Sequence, residues 1–238
     1  MAVDGALRCE GCGADYPLVD GIPVVARDPD ALLASEDPGS AARAAVYARS
    51  REGPLQDWLR EVVTAGALEL AGGLGVRDDT VVVDMSLAML RAGRAGLGSG
   101  RAGRGARICA DLLDPPFLPA SFEMVVLANV LDVIEAPLLA FQQAVALLAQ
   151  GGRLVVTCPY AFTNGGHNGC RLEPFPPAAL HAGFGAVEAG ILALVTARER
   201  DWPLRTTDRL TQVHRTDAVI FERRGPSYAP AHTTAIES

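Results

Sequence analysis

The stretch 107–160 constrains the fold most, because strand-type and helix-type segments alternate there at short, regular spacing. RICADLL is a β-run ending in an acid, and EMVVLANVL is a nearly continuous apolar run, as expected of a parallel strand covered on both faces. PLLAFQQAVALLAQ then has helical character and meets Gly151-Gly152, a pair suited to closing a helix, before GRLVVTCPY returns to strand type. Just upstream, the β-branched TVVVDMS leads into LAMLRAGRAG at helical period. Strands and helices alternating at this length specify an α/β chain with a doubly wound, mostly parallel sheet, whose ligands bind beyond the carboxyl ends of the strands.

The expected α/β domain covers 54–225, within a 238-residue chain that is 49% hydrophobic and can bury a substantial core. Residues 28–53 are acidic, then Ala/Arg-rich, with Pro29, Pro38 and Gly39 as breakers, and predict a linker ending in a helix. Residues 226–238 have the composition of a disordered tail. All 21 basic residues are arginine, yet the net charge is −7, which argues against a general nucleic-acid binder. A local basic cluster at Arg91, Arg94, Arg101, Arg104 and Arg107 sits in the glycine-rich GRAGLGSGRAGRGAR, where a solvated loop is expected. No segment approaches the roughly 20 apolar residues of a membrane helix, and no basic-then-apolar leader opens the chain, so a cytoplasmic protein without membrane contact is expected.

Residues 1–27 contain the turn Cys9-x-x-Cys12-Gly13 followed by short β-runs that turn at Asp20-Gly21. Such a turn aims two thiolates at one point, half of the four ligands that zinc takes. Much further along, His167 and Cys170 stand at His-x-x-Cys spacing in a polar, glycine-rich segment, which would complete a Cys₃His set. The alternative is a metal-free relic beside an unrelated His167. Cys109 and Cys158 lie within apolar strands and are expected to be buried. His181 and His214 fall in helix-like and strand-like stretches, where structural roles are expected.

The runs VVVDMSLAML, ADLLDPPFLPASFEMVVLANVLDVIEAP and LLAQGGRLVVTCPY together resemble the class I S-adenosylmethionine-dependent methyltransferases, in particular the small-molecule branch. The opening stretch is similar to part of the zinc-ribbon proteins that partner and activate methyltransferases, which implies a half zinc ribbon and a protein partner. The first resemblance implies S-adenosylmethionine as cofactor, with Asp84 taking the ribose hydroxyls, Ser86 beside it, Asp111 and Leu112 flanking the adenine, and Asn129 at the reacting centre. A carboxylate at a strand end can accept both hydrogen bonds of a vicinal diol. Asp84 and Asp111 could equally cap helices or end strands.

The family's first strand should end in an acid followed by a glycine-rich turn. If Glu61 is that acid, the turn is EVVTAG, with Val63 and Ala65 where glycines belong. If instead DWLREVVTAGALELAGGLG is one amphipathic helix stopped at Gly72-Gly73, the first strand and its helix are missing. On either reading the first βα unit is degenerate or absent. The stretch LDVI fills the place where many small-molecule members carry a histidine base, leaving His167, Asn129 and Tyr160 as catalytic candidates; Tyr160 could line a substrate pocket or merely close the core edge. Three functions follow: methyl transfer to a small molecule, a zinc-containing non-methylating enzyme (cyclisation or elimination) that has given up the cofactor, and a partner or activator of another enzyme.

Overall fold

The computed structural model describes residues 5–11, 13–70, 80–95, 105–162 and 174–226. Its main sheet has seven strands in the order β6-β5-β4-β7-β8-β10-β9, numbered along the chain. These are β4 (Leu68–Leu70), β5 (Val81–Asp84), β6 (Arg107–Cys109), β7 (Phe122–Ala128), β8 (Leu148–Cys158), β9 (Leu192–Thr207) and β10 (Leu210–Arg223). The first five in spatial order pair in parallel, and the hairpin β9–β10 adds antiparallel to β8. The doubly wound expectation is met, with an antiparallel edge.

The sheet corrects the expectation that the first strand is missing. Glu61 lies in helix α3 (Pro54–Val62), not at a strand end, and the chain then turns through Gly66 at φ +74° into β4. Strand β4 occupies the centre of the sheet, pairing β5 on one side and β7 on the other. Leu68, Glu69 and Leu70 are all buried. Ala, Leu and Glu are strong helix formers, so local propensity favours a helix here. Hydrogen bonding on both edges and complete burial override it. The strand's acid is therefore Glu69, and the residues that follow in sequence are Ala71-Gly72-Gly73-Leu74-Gly75. Residues 71–80 alone join β4 to its parallel neighbour β5. The strand of the first unit is therefore retained, and residues 71–79 lie outside the described residues.

Helix α3 starts with Pro54, whose missing N–H costs nothing in a first turn. Leu55, Trp58 and Leu59, one helical face, pack with Met124, Val126, Val155, Trp202, Ala218 and Ile220 on one side of the sheet. The other side buries Phe141, Ala144 and Val145 of α5 (Pro137–Leu147) and Leu180 of α6 (Pro177–His181) against Leu127, Leu154, Val156, Val219 and Phe221. Helix α5 ends at Leu147, earlier than the apolar pattern predicts. Leu148 to Gln150 extend as strand because Leu148 pairs with Phe122, and Gly151-Gly152 makes a bulge in that pairing instead of a helix cap. A Cβ on Gly152 would lie 2.9 Å from the carbonyl oxygens of Ala149 and Glu123.

The N-terminal β element comprises β1 (Gly5–Arg8), β2 (Asp15–Val19) and β3 (Ile22–Pro23), turning at Asp20-Gly21 with positive φ at both. It covers the exposed edge of the main sheet: Val24 bridges to Cys109 in parallel, and the Val25 N–H donates to the Cys109 carbonyl at 2.8 Å. Val19, Ile22 and Val24 share a core with Val82, Leu87, Leu90 and Cys109. The linker then forms α1 (Pro29–Ala34) and α2 (Ser40–Arg49), and α2 packs on α4 (Leu87–Ala95). Much of the glycine-rich cluster, the 226–238 tail beyond Pro226, Cys12, His167 and Cys170 lie outside the described residues.

Candidate functional site

In this topology the chain proceeds outward from β4 through β5 to β6 and then crosses back to β7, so strand order reverses between β4 and β7. The crevice outside the carboxyl ends at such a reversal is where open α/β sheets bind ligands. Asp84 ends β5, half-buried, and its Oδ1 accepts the Ser86 N–H at 2.8 Å. Ser86 is buried just ahead of α4; its Oγ accepts the Met89 N–H at 3.2 Å and donates to Glu36 at 2.9 Å. Glu36, from the linker between α1 and α2, also accepts the Ala88 N–H at 2.9 Å. A linker carboxylate thus satisfies two donors at the start of α4 and ties the linker to the loop after Asp84. Asp111 follows β6, its Oδ1 accepting the Leu113 N–H at 2.8 Å, while Leu112 is buried. Two acidic residues therefore stand beyond adjacent parallel strands, each held by a backbone N–H two residues on.

Across the reversal, β7 runs into Asn129, a buried residue with φ +52°. Its side-chain oxygen accepts the Thr157 hydroxyl at 2.7 Å, its N–H donates to the Thr157 carbonyl at 3.0 Å, and its Nδ2 has no partner among the described residues. Positive φ at a non-glycine residue is costly, and the two-point grip of Thr157 on β8 holds it there. Asp132, three residues on, was not singled out in sequence, yet it is 1% exposed. Its Oδ2 accepts the Ala161 N–H at 2.8 Å, and its Oδ1 has no partner among the described residues. Burial pushes its carboxyl above the ordinary range, opposed by that N–H and by nearby His214. The signal lay in an acid inside an otherwise apolar ANVLDVI run.

The wall facing Asp132 is aromatic. Tyr47 of α2 lies 5.3 Å from Trp202 of β9, and Trp202 lies 5.4 Å from His214 of β10, ring centre to ring centre. Burial raises the Tyr47 phenol far above its usual value, with Asp132 and Asp84 adding to the effect, so it stays protonated. The indole Nε1 of Trp202 and Nε2 of His214 are buried with no hydrogen-bond partner among the described residues. A buried polar atom left unpaired costs stability, so these two atoms are available to a polar group that reaches them.

Tyr160, another expected candidate, follows β8 with φ +53° and donates its hydroxyl to Asp217 Oδ2 at 2.7 Å. It lines a pocket, and its ring also packs against the core. Cys109 and Cys158 are buried, as expected; burial pushes the Cys109 thiol up to about 12 and the Cys158 thiol higher. Of the zinc set only Cys9 is described. It sits on a tight turn in which the Gly13 N–H donates to the Cys9 carbonyl at 2.9 Å and the Cys9 N–H donates to the Ala14 carbonyl at 2.8 Å. Among the described residues, no three His, Cys, Asp or Glu side chains gather as a metal site.

Residues 64–156 match the family profile described as a methyltransferase domain. The chain has a class I methyltransferase fold. It is similar to a chain in the complex between a Haloferax volcanii methyltransferase activator and a putative methyltransferase, with TM-score 0.58 and 15% identity over 79% of this chain and 96% of that one. A putative methyltransferase from Bacillus halodurans matches with TM-score 0.53 and 12% identity, covering 71% of this chain and 99% of its own. The [4+2]-cyclase SpnF matches with TM-score 0.53 and 16% identity, covering 72% and 80%. No curated protein matches the chain in sequence. At these identities the likeness speaks for the methyltransferase fold, and chemistry has to be argued from the crevice. No described helix is long and apolar enough to cross a membrane.

Proposed function

We propose that this protein transfers a methyl group from S-adenosylmethionine to a small molecule in the crevice between β4 and β7. The observation that carries the reading is the pair of acids, Asp84 and Asp111, beyond the adjacent parallel strands β5 and β6, next to a central strand whose sequence continues as Ala71-Gly72-Gly73-Leu74-Gly75. The donor set fits a nucleoside. Asp84 can accept the ribose hydroxyls while its loop is held by Ser86, and Asp111 can accept an exocyclic amine over the apolar side chain of Leu112. The unpaired Nδ2 of Asn129 offers a donor at the reacting end. When bound, the cofactor supplies an electrophilic methyl group. The protein's part is to orient a nucleophile and exclude water, and proximity alone accounts for several kcal/mol of such a barrier, about 7–11 at best.

The test is a thermal shift. A ligand at 100 times its dissociation constant adds about 2.7 kcal/mol. For a chain of this size that raises the melting temperature by roughly 5–10 °C. S-adenosylmethionine and S-adenosylhomocysteine should both produce it; no shift with either at millimolar concentration would overturn the reading and favour a non-methylating enzyme on the same scaffold.

Zinc is proposed separately, on Cys9, Cys12, His167 and Cys170, supported by the tight turn at Cys9 and by the thiolate-rich donor chemistry. Metal analysis of the purified protein and its Cys170→Ser variant decides it, since equal zinc in both would remove Cys170 from the set.

A further inference from the structure

Asp132 has no part in the cofactor contacts proposed above, and the fold gains nothing from its charge. It is buried, its Oδ2 is held by the Ala161 N–H, and its Oδ1 has no partner among the described residues. No described guanidinium reaches either oxygen. A half-paired buried carboxylate costs stability, so a side chain kept in that state serves something other than the fold.

Its place follows from the sheet. The N–H groups of Val133 and Ile134 both donate to the Val130 carbonyl, so Asp132 stands on a single turn just beyond the carboxyl end of β7. Asp217 of β10 lies opposite Cys158, the last residue of β8, so His214 to Thr216 run on past the carboxyl end of that strand. His214 has the parity of Ala218 and Ile220, which pack on the α3 side of the sheet, and its cross-strand partner Trp202 packs there too, against Tyr47 of α2. The groups facing Asp132 are Tyr47 from α2, Cys158 and Tyr160 at the end of β8, and His214 from β10. Burial holds the phenols and the thiol protonated, so none of these three brings a charge to match the carboxylate.

We propose that Asp132 receives the ammonium of an amine substrate and takes its proton, so that the methyl acceptor in this crevice is a primary or secondary amine. This names the substrate class of the methyl transfer and rests on that reading for its catalytic meaning. An ammonium supplies both the positive charge and the donor hydrogen that Oδ1 lacks, whereas an alcohol supplies the hydrogen alone and leaves the charge buried. Because the Ala161 N–H occupies Oδ2, the proton goes to Oδ1. One N–H bond breaks, the Oδ1–H bond forms, and ammonium plus carboxylate become amine plus carboxylic acid. Burial favours that neutral pair, since it removes two charges from a site that solvates neither. The freed lone pair is what a methyl acceptor needs. The π-rich rings of Tyr47, Trp202 and His214, at the same end of the sheet, suit a cationic visitor as well.

Binding to the full chain without cofactor tests the site, so its failure and a failure to bind S-adenosylmethionine are separate results. The probes are methylamine, benzylamine and phenethylamine, each beside the alcohol of the same skeleton. The readout is the side-chain carboxyl carbon resonance of Asp132, assigned by its loss in Asp132→Asn. At least one amine should shift this resonance saturably, and its alcohol should bind about tenfold more weakly or worse, the scale of a hydrogen bond to a charged group. Calorimetry should show Asp132→Asn losing that amine by a similar factor although the variant melts at a higher temperature than wild type, a combination that a purely structural role does not produce. Absence of a shift with every amine, equal binding of the alcohol, or an unchanged amine affinity in Asp132→Asn would each overturn the proposal.

Discussion

Asp132→Asn should make the protein more stable, and more so as pH rises. Asp132 is 1% exposed, with one oxygen on the Ala161 N–H and the other without a partner among the described residues. Asparagine keeps the volume and can keep the acceptor to Ala161, while removing the charge. Because burial raises this carboxyl in the folded state, the folded protein holds the proton more tightly than the unfolded chain. Below the unfolded value near 4, both states are protonated and no penalty exists; as pH rises above it the unfolded chain ionises while the folded state still holds its proton, so the penalty grows until pH passes the folded value and stays constant beyond it. The penalty is about 1.4 kcal/mol for each unit separating the two values. An unpaired buried group independently suggests about 1–3 kcal/mol. Removing it should raise the melting temperature by roughly 2–10 °C at neutral pH, and by little near pH 4. Thermal denaturation of wild type and variant across that range is the assay. A variant less stable than wild type at neutral pH, or a difference that ignores pH, would refute the argument, the first by showing that the charge is satisfied in the fold.

Other outcomes follow from the same geometry. Gly53→Ala should cost more than 2 kcal/mol, about the scale of overpacking, because Gly53 has φ +134° and a Cβ there would lie 2.7 Å from Cγ of the rigid Pro203 ring; urea unfolding measures it. Cys109 and Cys158 should resist iodoacetamide at neutral pH until the protein unfolds, since burial suppresses their thiolates; mass spectrometry after timed labelling reads this directly. Glu36→Ala should lose about 1–2 kcal/mol by freeing the Ser86 hydroxyl and the Ala88 N–H, and should loosen the linker to protease between α1 and α2.

Strands β5, β7 and β8 were legible because Val-rich runs in parallel sheets are apolar on both faces, and the order of strands and helices then specified the sheet. Strand β4 was not, because Ala67-Leu68-Glu69-Leu70 is made of helix formers and only pairing on both edges turns it into a strand. The acid and its glycine-rich continuation are hidden with it, although Glu69-Leu70 followed by Ala-Gly-Gly-Leu-Gly stands in the chain ahead of TVVVD. The resemblance points to Asp84, Ser86, Asp111 and Asn129, and the structure has them at or just beyond the carboxyl ends of β5, β6 and β7. The Tyr160–Asp217–His181 cluster could not be found that way, since Tyr160 and His181 stand 57 and 36 residues from Asp217 and only the β8–β10 pairing brings them together. Asp132 is not legible in sequence, because its significance comes from burial that only the fold supplies.

The most direct measurement is calorimetric titration of S-adenosylhomocysteine into the wild-type chain and into Asp84→Ala. The account predicts micromolar binding to wild type, about −8 kcal/mol. It predicts a loss of about 1.5–3 kcal/mol in the variant, a weakening of roughly ten- to a hundredfold, as expected for hydrogen bonds to a charged group. No heat at millimolar ligand in the wild type, or equal affinity in the two proteins, would contradict the assignment of this crevice.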